Sequence, residues 1–198
     1  MLLTWGMMVN GCQSENQLTA EDWFSRGRTS EKAKDYVNAI KAYTKALAIN
    51  PRYAIVYQHR GTAWTKQNDY DQAIIDFTEA IRLNPHYAEI YNLRGMLWSS
   101  KNMNDLAMVD FTKAIEVNPR YADAFNNRGV ILARKGNYDQ AIGNFTKALE
   151  IDSLNSHVYY NRGVTWFDKG NLQQAQADIS KAHILKPEGQ RNMKAETL

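Results

Sequence analysis

Cysteine is almost absent from this sequence, since Cys12 is the only one among 198 residues. A single cysteine excludes an internal disulfide framework and any zinc site built from several cysteines. An excess of one charge is also missing, because 24 Lys and Arg are interspersed with 21 Asp and Glu. We therefore expect no nucleic acid partner, since phosphate backbones require a concentrated basic surface. No apolar run approaches the roughly 20 residues that span a bilayer.

Motifs for catalysis are missing as well. The four histidines are scattered, and there is no His-Glu helix motif, glycine-rich phosphate loop or recognisable nucleophile. We therefore expect no enzyme activity, no cofactor and no metal site.

What the sequence does contain is an internal repeat with a period of about 34 residues. Glycines, aromatic residues and two sets of alanines each recur five times at this constant spacing. They are Gly27, Gly61, Gly95, Gly129 and Gly163; Trp23, Tyr57, Tyr91, Phe125 and Tyr159; Ala39, Ala73, Ala107, Ala141 and Ala175; and Ala46, Ala80, Ala114, Ala148 and Ala182. Pro51, Pro85, Pro119 and Pro187 each end a helical run.

The spacing within one period predicts a helical hairpin. In the fourth repeat Phe125, Gly129 and Leu132 form one helical stripe, and a second stripe begins at Ala141 after the turn at Gly136. Small residues at the crossing let the two backbones approach closely. One hairpin cannot bury its apolar face alone, so five are expected to stack.

These residues resemble the tetratricopeptide repeat, with repeats at 20–53, 54–87, 88–121, 122–155 and 156–189. The resemblance implies an all-α fold, a right-handed superhelical solenoid of five helix-turn-helix repeats. Residues 1–19 are interpreted as an apolar segment with a polar linker, and 190–198 as a C-terminal tail.

The same resemblance implies a scaffold or adaptor that holds a peptide segment of a partner protein in a concave groove lined by the first helices. The side chains expected to line this groove are Phe24, Arg28, Gln58, His59, Asn92, Met96, Asn126, Asn127, Val130, Arg134, Tyr160, Asn161 and Val164. Two alternatives are a module for self-assembly through the last helix, and an arm of a larger enzyme such as a glycosyltransferase.

Four asparagines stand out in that set, namely Asn92, Asn126, Asn127 and Asn161. An amide offers the donor and the acceptor that a peptide bond requires, so a row of them can hold an extended chain. Asn127 and Asn161 occupy one slot in successive repeats, which is similar to the asparagine ladder of the glycosyltransferase superhelix. The alternative is that these amides are merely solvated. Asn127 and Asn161 lie outside the packing stripe, so we expect their substitution to change thermal stability little.

An arginine precedes each repeated glycine, at Arg26, Arg60, Arg94, Arg128 and Arg162. Asp76, Asp110, Asn144 and Asp178 recur on the second helices with the same period. We interpret the two sets as bridges between packed helices rather than as an anion-binding ladder.

The segment from Met1 to Val9 is apolar and runs into Asn10-Gly11-Cys12, which resembles the end of a bacterial lipoprotein signal. Cys12 would then carry a lipid, the one route by which we expect the protein to meet a membrane. No Lys or Arg precedes the apolar stretch, which departs from a signal peptide. Two locations follow, the cell envelope for a lipoprotein and the cytoplasm otherwise.

Overall fold

The computed structural model describes residues 17–185, which form ten α-helices and, within that range, no strand. The helices are α1 (Ala20–Lys32), α2 (Tyr36–Ile49), α3 (Ala54–Lys66), α4 (Tyr70–Leu83), α5 (Ala88–Ser100), α6 (Asn104–Val117), α7 (Ala122–Arg134), α8 (Tyr138–Ile151), α9 (Ser156–Asp168) and α10 (Leu172–Leu185). The expected all-α class with five helical hairpins is confirmed. Cys12, Pro187 and the tail 190–198 lie outside the described residues.

The chain forms two compact units that divide within α4, after Asp76. In the first unit, α2 packs against α1 and α3. In the second, each helix from α5 to α10 packs against the next one along the chain. The first helices of neighbouring hairpins also touch, since α1 contacts α3, α5 contacts α7, and α7 contacts α9. None of the described helices is long and apolar enough to cross a membrane.

Short polar side chains cap some of the helix ends. Thr19 starts α1 with a capping box, in which its hydroxyl accepts from the Asp22 amide at 3.2 Å and the Asp22 carboxylate accepts from the Thr19 amide at 2.9 Å. These hydrogen bonds lower the pKa of Asp22. After α2, the Asn50 side chain accepts from the amide two residues on, at 3.1 Å. The same turn follows α8, where Asp152 replaces asparagine.

The turn inside each hairpin requires a left-handed backbone at a position that recurs once in every repeat. Glycine fills it at Gly136 and Gly170, with φ of 76° and 88°. Asparagine, which tolerates this region, fills it at Asn68 and Asn102, and Lys34 fills it in the first hairpin. The turn predicted around Gly136 is therefore confirmed.

In the first, third and fourth hairpins the two helices meet where an aromatic ring lies against a glycine, and in the fifth Ile179 takes the place of the ring. A Cβ added to Gly129 would stand 2.7 Å from Cε1 of Phe145, and one added to Gly95 would stand 2.7 Å from Cε1 of Phe111. Ala141 and Ala148, which flank this crossing on α8, are fully buried. The predicted packing stripe is confirmed, and it leaves no room for a methyl group.

We expect Gly129→Ala to destabilise the fold by about 1 to 3 kcal/mol, because the new methyl group would overpack the Phe145 ring. Gly143→Ala is the matched control, since Gly143 lies exposed within α8 and a Cβ there meets nothing within 4 Å. That control should gain about 0.5 to 1 kcal/mol from helix propensity. Urea unfolding measures both, and equal effects of the two substitutions would contradict the crossing.

Candidate functional site on the first-helix face

The repeated arginines hold the two helices of a hairpin together through buried carboxylates. Arg94 donates from Nε to Asp110 Oδ2 at 2.9 Å and from Nη2 to Asp110 Oδ1 at 2.7 Å. A third bond, from Nη1 to the Thr78 hydroxyl at 2.9 Å, reaches the preceding hairpin. Arg60 with Asp76 and Arg162 with Asp178 repeat this bidentate geometry. The interpretation as helix-to-helix bridges is confirmed for these three arginines.

Of the two remaining arginines, Arg128 forms its bridge to an amide and Arg26 forms none. Arg128 donates to the amide oxygen of Asn144 at 2.8 Å, and burial without a carboxylate lowers the pKa of its guanidinium. Sixteen residues after Arg26 the sequence has Ala42, at the position where the other hairpins have a polar side chain. The interpretation as a helix-to-helix bridge is therefore wrong for Arg26, because the alanine side chain offers no hydrogen-bond acceptor.

The four predicted asparagines come together as one chain of hydrogen bonds across α9, α7 and α5. Asn161 Nδ2 donates to Asn126 Oδ1 at 2.9 Å, Asn126 Nδ2 to Asn127 Oδ1 at 3.3 Å, and Asn127 Nδ2 to Asn92 Oδ1 at 2.9 Å. Asn92 Nδ2 in turn lies 3.4 Å from the Tyr121 hydroxyl. These amides are bonded to one another, so they are not merely solvated side chains.

The amide chain runs from a buried end to an accessible one. Asn92 is only 3% exposed, so it accepts a hydrogen bond from Asn127 but cannot itself line a groove. The expectation that Asn92 lines the groove is therefore corrected. Tyr121 closes this buried end, and burial raises the pKa of its hydroxyl to about 12. Asn126, Asn127 and Asn161 are partly exposed. Three of the four amides are therefore accessible to solvent.

Apolar groups lie beside the accessible amides. Met96, Tyr160 and Val164 are exposed large hydrophobic side chains on α5 and α9. Asn127, Val130 and Arg134 on α7 border, with Met96, a cleft of about 210 Å³. The first-helix face of the second unit thus combines amides with apolar surface.

The expected groove residues of the first unit form a different cluster. The Phe24 and His59 rings meet edge to face at 5.3 Å, and His59 Nδ1 lies 2.9 Å from Glu31 Oε2. The same oxygen accepts from the Tyr43 hydroxyl at 2.6 Å, and burial of that hydroxyl raises the pKa of Tyr43. Arg28 lies beside Phe24, with its guanidinium carbon 6.0 Å from the ring centroid. Gln58 is partly exposed on α3.

Sequence reasoning missed Glu31, although a signal was present. Tyr43 stands where Phe77, Phe111 and Phe145 stand in the next three hairpins. A buried hydroxyl in place of a plain ring needs a hydrogen-bond partner. Among the described residues, no group of His, Cys, Asp and Glu comes together that could hold a metal ion.

Profiles of the tetratricopeptide repeat match residues 20–53, 54–87, 88–121 and 122–153, which is more than half of the chain. The chain belongs to the tetratricopeptide repeat family. The hairpin of α9 and α10, which follows the matched residues, continues the same pattern of glycine, arginine and alanine.

Solved structures of tetratricopeptide proteins share the fold. MamA is 24% identical, with a TM-score of 0.75, and the match covers 80% of this chain and 93% of that one. YrrB, described as a tetratricopeptide protein with an unusual peptide-binding site, is 24% identical with a TM-score of 0.71, covering 85% and 87%. MamA from Desulfovibrio magneticus RS-1 is 16% identical with a TM-score of 0.77, covering 84% and 94%. Comparison with curated proteins finds no match.

Two opposite substitutions test the arginine bridges, one that removes a carboxylate and one that adds a carboxylate. We expect Asp110→Asn to destabilise the fold by about 1 to 3 kcal/mol, because it leaves the guanidinium of Arg94 without its charged partner. Asn144→Asp should do the opposite, since it supplies the carboxylate that Arg128 lacks. Urea unfolding at pH 7 compares the two, and a stability change of the same sign in both would refute the bridge as the cause.

Proposed function

We propose that this protein is an interaction scaffold whose second unit holds an extended peptide segment of a partner along α5, α7 and α9. Tetratricopeptide repeats are typically non-catalytic interaction modules, and YrrB, which shares the fold, has a peptide-binding site. The observation that carries the proposal is the chain of amides from Asn161 to Asn92.

The amides keep hydrogen-bonding capacity for a ligand. Each asparagine has two N–H groups and two carbonyl lone pairs. The bonds within the chain use one N–H of Asn126, Asn127 and Asn161, and one lone pair of Asn92, Asn126 and Asn127. The second N–H of each accessible amide is left to donate to a peptide carbonyl. Such contacts favour a backbone and tolerate many side-chain sequences.

The apolar side chains supply the selective part of the site. Met96 and Val164 flank the amides on α5 and α9, and Tyr160 presents a ring with a polar end. An extended peptide directs successive side chains to opposite sides. Every second side chain of the partner would therefore face this apolar surface, and we expect the partner segment to carry aliphatic residues at alternate positions.

The double substitution Asn127→Ala with Asn161→Ala should weaken binding of peptides selected on the wild-type protein by about 1 to 3 kcal/mol, through lost hydrogen bonds. Phage display on the immobilised protein supplies the peptides, and calorimetry measures their affinity. The three hydrogen bonds lost inside the protein should also lower its stability, by about 2 to 4 kcal/mol. Circular dichroism therefore has to show that the variant is folded at the assay temperature.

The matched control is Gln173→Ala with Gln174→Ala, which also removes two amides but from the exposed start of α10. It should leave peptide affinity within twofold of the wild type. Equal affinity in the wild type and the folded asparagine variant would reject the amide chain as the binding surface.

Self-assembly is a second candidate function, and exposed apolar side chains on the last helix favour it. Leu172 and Ile184 on α10 are both more than 60% exposed, and Ile179 lies between them in the sequence. Burying such side chains in a contact with a second copy would be favourable. The lipid anchor at Cys12 and a cell-envelope location stay predictions from the sequence.

Sedimentation at several protein concentrations separates these functions. If α10 mediates self-assembly, the mass should rise with concentration, and Leu172→Glu with Ile184→Glu should abolish the rise. A constant mass equal to that of one chain would rule out self-assembly and leave the scaffold function.

A further inference from the structure

The first hairpin breaks the pattern of arginine bridges at one position. In the second, third and fifth hairpins the arginine is hydrogen-bonded to an aspartate 16 residues later. The same separation from Arg26 leads to Ala42, which is buried on α2. The arginine is retained at the equivalent sequence position, but the carboxylate that would neutralise it is absent and Arg26 is exposed.

Arg26 lies beside an aromatic ring instead of a carboxylate. Its guanidinium carbon lies 5.0 Å from the centroid of the Trp23 ring, and Nζ of Lys45 lies 4.1 Å from the same ring. Among residues 17–185, no carboxylate accepts a hydrogen bond from Arg26. Asp22, one turn earlier on α1, is hydrogen-bonded to Thr19. Two cations therefore lie over one tryptophan ring, and the exposed guanidinium of Arg26 is accessible to an added anion.

These side chains border a cleft of about 710 Å³ within the first unit. Trp23 and Trp64 form apolar walls, and Arg26, Lys41 and Lys45 supply positive charge. No carboxylate of the described residues lines it. The cleft lies on a different face of α1 from Phe24 and Arg28, so it is separate from the first-helix face.

An equivalent cleft in the third hairpin shows what the substitution changes. Tyr91, Arg94 and Lys113 occupy, two repeats later, the positions of Trp23, Arg26 and Lys45. They line a cleft of about 500 Å³ that also contains Asp110, and this carboxylate is bonded to Arg94. The charge of Arg94 is therefore compensated from within its cleft, whereas no lining carboxylate compensates the charge of Arg26.

We propose that the cleft between α1, α2 and α3 binds an acidic peptide segment in which a carboxylate side chain adjoins an apolar one. The carboxylate would accept both N–H arms of Arg26, the geometry that Asp110 shows with Arg94. The apolar side chain would pack on the tryptophans. A free phosphate ion would leave these apolar walls uncovered, and three cations are few for a nucleic acid backbone, which engages about 6 to 10 phosphates.

The probe is an array of heptapeptides with a central Trp, Phe or Leu flanked by glutamates, each beside a counterpart with glutamine at every glutamate. Fluorescently labelled full-length protein should bind the glutamate peptides selectively. Calorimetry on the strongest of them should show at least tenfold weaker binding to Ala42→Asp and to Arg26→Gln. Ala42→Asp supplies the carboxylate found in the second, third and fifth hairpins, so it should block the cleft without lowering the melting temperature.

Two controls isolate the cleft from general charge and from the first-helix face. Arg52→Ala removes one exposed positive charge elsewhere and should change affinity less than twofold. The variant Asn127→Ala with Asn161→Ala should also leave acidic peptide binding unchanged, so failure of this inference and failure of the scaffold proposal are distinguishable.

The proposal is overturned if the array shows no preference for glutamate over glutamine, or if folded Ala42→Asp binds as well as the wild type. Inorganic phosphate and a single-stranded oligothymidine are tested as competitors. Displacement of the labelled protein from the arrayed peptide at a lower competitor concentration than the free peptide requires would reassign the cleft to a small anion or to nucleic acid, respectively.

Discussion

The structure depends on one close contact. In it, a glycine on the first helix of a hairpin, which has no side chain, lies against a bulky side chain on the second helix. Gly129 against Phe145 and Gly95 against Phe111 leave less than 3 Å for an added carbon. This contact sets both the distance and the register of the two helices. It therefore brings the arginine before the glycine opposite one position of the second helix, where Asp110 accepts from Arg94 and the amide oxygen of Asn144 accepts from Arg128.

In that register, the identity of one side chain on the second helix decides whether the arginine forms a bridge between the two helices. Where the position holds aspartate, as at Asp76 and Asp110, the arginine is neutralised and the bridge joins the two helices. Where it holds Ala42, the same arginine keeps its charge and lies on Trp23 beside an open cleft. A repeat can thus acquire a binding surface without altering its helices, because the crossing beneath is maintained by other residues.

The hairpins and their bridges were predictable from the sequence because both are repeated at fixed separations within one repeat. The amide chain was predicted only in part. Asn127 and Asn161 share a slot, yet Asn127 bonds to Asn92 and Asn161 to Asn126, each across one residue more than the repeat period. Neighbouring first helices are offset by one residue at this contact. The repeat period in the sequence does not reveal this offset of one residue, because the offset arises from how successive hairpins pack.

The direction of the amide chain gives it a property that four independent asparagines lack. Among the four asparagines, every side-chain carbonyl except that of Asn161 accepts from the next asparagine in the series. The last donor, Asn92 Nδ2, lies 3.4 Å from the hydroxyl of the partly buried Tyr121. Each amide plane is therefore held by its neighbours before a ligand arrives. Side chains fixed in this way lose less conformational entropy on binding than free ones. The same bonds that join α5, α7 and α9 thus orient the N–H groups that remain for a partner.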